Sequence, residues 1–123
     1  MNENQLATIA LDVAFDIHRN LGPGLLESTY QKIMFHELRE KGLDVKQELY
    51  LPVKYKDMEI DLSYRLDLVL NDKVVLELKC VEGFRDVHQS QILTYMKLGG
   101  YNLGLLINFH TSLLKNGIKR FKF

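Results

Sequence analysis

Residues 59–80 alternate so regularly that they favour one strand pairing. Ile60, Leu62, Tyr64, Leu66, Leu68 and Leu70 alternate with Glu59, Asp61, Ser63, Arg65, Asp67 and Val69. Beyond Asn71-Asp72, Val74, Leu76, Leu78 and Cys80 alternate with Val75, Glu77 and Lys79. Period two is the signature of strands with one buried face. With Leu70 paired to Val74, Leu68 faces Leu76 and Leu66 faces Leu78, so one face is wholly apolar. The other face pairs Val69 with Val75, Asp67 with Glu77, and Arg65 with Lys79. A slip of one residue would set apolar against polar along the whole hairpin. The register predicts a three-residue loop, Asn71-Asp72-Lys73.

This pairing sets two carboxylates opposite one another, which destabilises a sheet. A divalent cation, a shared proton or a basic neighbour can compensate. Lys79 lies two residues along from Glu77 and points to the same face. Asp, Glu and Lys on one face fit a metal-dependent hydrolase. The acids would hold Mg²⁺ or Mn²⁺, and the lysine would orient or activate a water or stabilise developing negative charge. The hairpin by itself also fits an ordinary solvated sheet face. Glu-x-Lys is a short pattern, and Asp44-Val45-Lys46 has a similar form at the entry to a strand.

The other elements follow from periodicity. Leu6, Ile9, Ala10, Val13, Ile17 and Leu21 recur at helical spacing and predict a helix over about Gln5 to Leu21, stopped by Gly22-Pro23-Gly24. A second helix is predicted from about Leu26 to Lys41, with Leu26, Tyr30, Ile33, Met34 and Leu38 along one stripe and Gly42 as its left-handed stop. Leu49, Leu51, Val53 and Tyr55 alternate as a first strand, and Lys56-Asp57 reads as its turn. Asp86, with Gln89 as a capping-box partner, opens a third helix that runs to about Leu98 and ends at Gly99-Gly100. Leu103 to Phe109 reads as a strand buried on both faces, and Ile118 to Phe123 as an edge strand. The order is α-α-β-β-β-α-β with a final β, an α/β (α+β) class, read as a single domain over residues 1–123.

The chain has 123 residues, 46% of them apolar, enough for a core without disulfides or structural metal. Its longest apolar run, Leu103 to Ile107, is far below the ~20 residues of a membrane span. One cysteine, Cys80, points to a reducing cytoplasm. The formal charge is zero, but the balance is uneven. Through Asp86 there are 11 basic and 16 acidic residues; from Val87 onward there are 5 basic residues and no acid. Neutrality therefore does not exclude a nucleic-acid partner.

On the third helix, His88, Gln91 and Tyr95 project from one side, apart from Ile92 and Met96. That stripe can lie over the polar face of the hairpin, with Gln91 bonding a phosphate and Tyr95 bonding it or stacking on a base. A core-edge tyrosine and a surface histidine are the plainer alternative. Glu27 opens the second helix, where an acid also suits the positive helix end. His18, His36, His88 and His110 lack zinc-like spacing. Cys80 reads as a buried, inert thiol. Gly22-Pro23-Gly24 lacks the Lys-Ser/Thr of a phosphate loop. The tail Lys119-Arg120-Phe121-Lys122-Phe123 offers Lys119 and Arg120 to a phosphate backbone, or forms an amphipathic edge.

Gly24-Leu25-Leu26-Glu27-Ser28-Thr29-Tyr30 resembles the signature of the GxxExxY proteins, a family of the PD-(D/E)XK nuclease superfamily. The similarity covers nearly the whole chain. The superfamily's helix-borne acid falls on Glu27, its hairpin acid on Asp67 and its Glu-x-Lys on Glu77-Leu78-Lys79. The Gln-x-x-x-Tyr of the RecB-like branch falls on Gln91 and Tyr95. Leu66 stands where the superfamily name has proline. The resemblance implies a restriction-endonuclease-like core, a mixed central sheet flanked by helices. It implies Mg²⁺ (or Mn²⁺) held by Glu27, Asp67, Glu77 and the backbone carbonyl of Leu78. Asp67, Glu77, Lys79, Gln91 and Tyr95 are the implied catalytic set, and His88, Gln91, Tyr95, Lys119 and Arg120 the expected substrate contacts.

The expected function is Mg²⁺-dependent phosphodiester hydrolysis of DNA, with RNA second. Two other readings stay open: a catalytically silent module of the same fold binding nucleic acid or protein, and an interaction protein whose polar hairpin is merely solvated. A partner protein or a second copy is compatible with the small size; a membrane is not expected.

Overall fold

A computed structural model describes residues 1–123, apart from the side chains of residues 61–63. Among these, two helices come first, α1 (Glu3–Leu21) and α2 (Glu27–Glu40). Three strands follow, β1 (Val45–Tyr55), β2 (Met58–Leu70) and β3 (Val74–Lys79). Then come α3 (Asp86–Gly99), β4 (Leu103–Asn108), a short 3₁₀ turn over Leu114–Gly117 and β5 (Ile118–Lys122). The described strands form one mixed five-stranded sheet in chain order, antiparallel except for the parallel pair β3 and β4. The fold is α+β, as the periodicity implied.

Each stop has a local cause. Asn2 and Gln5 cap α1 reciprocally at 2.8 and 2.9 Å. Gly42 and Gly100 adopt the left-handed conformation after α2 and α3. The expected cap of α3 moves by one residue: Arg85, not Asp86, is the N-cap. Its backbone N–H donates to His88 Nδ1 at 3.0 Å, so His88 takes the place expected of Gln89.

The sheet has a core on each side. Leu6, Ala10, Val13, Ile17, Tyr30, Met34 and Leu38 of α1 and α2 bury Leu68, Leu70, Leu76, Leu78, Leu105 and Ile107. Ile92, Tyr95 and Met96 of α3 bury Leu66, Val69, Val75 and Leu106 on the opposite face. Complete burial of β4 on both sides follows. Leu26 is an exception to its predicted stripe; it precedes the first turn of α2 and is 73% exposed.

The hairpin keeps its register at the loop. Leu70 pairs with Val74, Val69 with Val75 and Leu68 with Leu76, around the turn Asn71-Asp72-Lys73. Further along, the uniform alternation fails. Leu66 does not share a face with Leu68 and Leu70; it packs on the α3 side. The cause is a backbone irregularity beside Asp67. Glu48, on β1 between the pairs Gln47–Leu68 and Leu49–Leu66, has φ 54°, a left-handed value unusual in a strand. β1 changes face there as well, from Val45 to Leu49 and Leu51. The alternation expected at Asp61, Leu62 and Ser63 falls outside the described side chains.

Candidate metal centre

The ladder between β2 and β3 gives way to side chains where Asp67 and Glu77 meet. Leu78 N–H donates to Asp67 Oδ2 at 2.9 Å, and Asp67 N–H donates to Glu77 Oε1 at 3.0 Å. Each strand thus lends a carboxylate to the backbone of the other. The two acids are 6% and 4% exposed. Burial disfavours the charged form, and a second carboxylate adds to it. Asp67 is raised, chiefly by burial, although the Leu78 N–H and Lys79 oppose the shift. Glu77 is pushed up to about 8 by burial and then by Asp67. Both carboxyls are thus raised together, because burial and the proximity of two acids oppose a second negative charge in one place. Of the compensations open in the sequence, the basic neighbour Lys79 is present, lowering both acids.

Glu27 reaches this place from the first turn of α2. Burial raises its pKa, Lys79 lowers it and Asp67 raises it, so it lies within electrostatic range of the hairpin. The Cys80 backbone N–H also lowers it. Cys80 itself is half-buried, with its thiol pushed up by burial and then by Glu27, in keeping with an inert thiol.

Helix α3 covers the α3 face of the fork. Tyr95 is nearly buried, and its hydroxyl is pushed up to about 12 by burial and then by Glu77 and Asp67. It is therefore a proton-bearing donor near neutral pH. His88 is lowered by burial, Lys79 and Arg85, in that order. Its Nδ1 accepts from Arg85, so the neutral ring carries hydrogen on Nε2. Gln91 lies between them on the same side of the helix and is half-buried.

The tail residues separate. Glu77 aligns with Leu106, and Leu106 with Lys119, so Lys119 lies on the α3 face about 10 Å across two strand spacings. Arg120 takes the opposite face and bonds Asn4 on α1.

Some contributors carried no recognised pattern. Arg65 approaches Glu27 and Asp67 electrostatically while paired with Glu48 at 3.5 Å. Tyr64 sets its ring 5.6 Å from that of Tyr95. Asn108 is 2% exposed, accepts from Val81 and His110 N–H groups and donates to the Val81 carbonyl, fastening the loop after β3. The alignment of Lys79 with Asn108 across β3 and β4 is the kind of signal that would have found it.

Fold and site define an α+β protein with a restriction-endonuclease-like core. A family model described as the PD-(D/E)XK nuclease superfamily matches residues 4–121, and the chain belongs to that superfamily. No curated protein and no solved structure matches it significantly. Nucleases of the superfamily act on nucleic acid and typically use divalent metal. The donors suit that requirement: carboxylate oxygens, buried and mutually repulsive, are what a hard cation neutralises. Among the described residues, no three His, Cys, Asp or Glu side chains already form a metal cage. Asp67 and Glu77 instead accept from the backbone N–H groups of Leu78 and Asp67.

Proposed function

We propose that this chain is a Mg²⁺-dependent nuclease hydrolysing phosphodiesters in DNA, of the GxxExxY kind and the RecB-like branch. The observation that carries the reading is the buried Asp67–Glu77 pair beside Lys79, with Glu27 in electrostatic range. Glu27, Asp67, Glu77 and the Leu78 carbonyl would hold the cation, Mg²⁺ or Mn²⁺. When bound, it supplies Lewis acidity and positive charge toward the phosphate. Lys79 orients the attacking water and offsets negative charge on the phosphorus oxygens. Tyr95, Gln91 and the Nε2–H of His88 donate to the phosphate as neutral groups. Lys119 follows the strand farther out, and Arg120 answers a phosphate only if it leaves Asn4.

Single-stranded, duplex and branched DNA incubated with pure protein in Mg²⁺ or Mn²⁺ test this. Cleavage by the native chain and its loss in Glu77→Ala are expected. No cleavage, or equal cleavage by the variant, overturns it.

A catalytically silent module draws support from one observation: Asp67 and Glu77 are turned onto backbone N–H groups rather than arranged as a cage. Salt-dependent DNA binding that survives Glu77→Ala and Lys79→Ala, without cleavage, would favour it.

A further inference from the structure

Resting on that metal reading, we propose that Tyr30 is a positioning residue that holds Glu27 against the end of β3. The start of α2 needs such a device, because its N-cap Leu26 offers no capping side chain. Tyr30, one turn inside the helix, is fully buried. Its hydroxyl donates to the Gly22 carbonyl and accepts from Leu25 N–H at 3.2 Å. One oxygen thereby ties together both ends of the loop that leads into Glu27.

The ring fixes this loop to the sheet. Tyr30 stacks on Phe109 with centroids 4.2 Å apart and planes 5° from parallel. Phe109 N–H donates to the Lys79 carbonyl at 2.9 Å. The Cys80 thiol approaches the Leu25 carbonyl at 3.7 Å. The chain of contact runs from Gly22 and Leu25 through Tyr30 and Phe109 to Lys79, the strand end that Glu27 faces electrostatically. Gly22 contributes φ 71° and ψ −168°, backbone essentially confined to glycine, which brings its carbonyl to the hydroxyl.

Phenylalanine at position 30 keeps the ring and removes the two hydrogen bonds. The test therefore compares Tyr30→Phe, Glu27→Gln and the double variant of the full chain. Mn²⁺ affinity is measured by calorimetry, and the fold by thermal unfolding. A positioning role lowers Mn²⁺ affinity roughly 10–100-fold in Tyr30→Phe, as loss of outer partners of a metal site does. In the Glu27→Gln background the same change has no further effect on Kd. If Glu27→Gln weakens Mn²⁺ and Tyr30→Phe lowers only the melting temperature, Tyr30 is merely structural and the inference fails while the metal reading stands. If the native chain binds no Mn²⁺, the metal reading fails, and a metal-free crystal structure of Tyr30→Phe decides the positioning claim. Displacement of Glu27 from β3 by about 1 Å or more supports it, a shift of the size that matters in a site; an unmoved Glu27 overturns it.

Discussion

Glu77 holds a proton in the folded chain up to about pH 8, whereas its ordinary value is 4.5. The folded state thus binds a proton that the unfolded chain has released, so stability falls as pH rises between those values. The contribution is complete below about 4.5 and lost on passing about 8; Asp67 and Glu27, also raised, act in the same sense. Denaturant unfolding of metal-free protein at pH 5, 6.5 and 8 should show a decline on the order of a few kcal/mol. Glu77→Gln should flatten it, because the amide oxygen still accepts from Asp67 N–H while the group no longer titrates. A flat profile in the native chain would refute the raised Glu77. On the proposed reading, metal held by Glu77 would displace that proton, so Mn²⁺ affinity should rise roughly tenfold per pH unit below about 8; affinity independent of pH over that span would exclude such exchange. The carboxylate pair was legible because two acids in register are conspicuous. Asn108 was not, since its role depends on where the Val81 backbone passes.

Between residues and the whole stands the face change in β1 and β2. An unbroken alternation through Leu66, Asp67 and Leu68 says nothing of a backbone that turns over midway, and a glutamate with positive φ carries no sequence mark. The loop end of the hairpin was readable for the opposite reason: Leu68, Leu70, Val74 and Leu76 bury against α1 and α2, and a slip would expose them. The strand ends at the site depend on a second close fit. A Cβ on Gly117 would stand 2.3 Å from the Asn108 carbonyl oxygen. Gly117→Ala should therefore destabilise the protein by about 1–3 kcal/mol through overpacking against backbone. Since Asn108 holds Val81, the variant should also speed hydrogen exchange at the Val81 amide. Equal stability and equal Val81 exchange would show that β5 and β4 separate freely at this point.

Over the whole molecule, neutrality conceals an acidic portion through Asp86 and an acid-free basic remainder. The sheet then divides the basic remainder between faces, a distribution the tail sequence could not show without a register. Lys119 shares the α3 face with Glu77, while Arg120 is committed to Asn4 on the other. A phosphate backbone laid along the Lys119 side of the sheet comes under the field of the buried Asp67 and Glu77, so divalent metal should strengthen binding by offsetting their charge. Fluorescence anisotropy with a labelled duplex should show weak binding in chelator and tighter binding in Mg²⁺. Lys119→Ala should lower affinity and reduce the magnitude of the salt dependence by roughly one phosphate contact, whereas Arg120→Ala should leave both near native values. Equal losses from the two substitutions would mean that nucleic acid wraps the β5 edge rather than lying on the α3 face. Tighter binding in chelator than in Mg²⁺ would place the contact away from the carboxylates altogether.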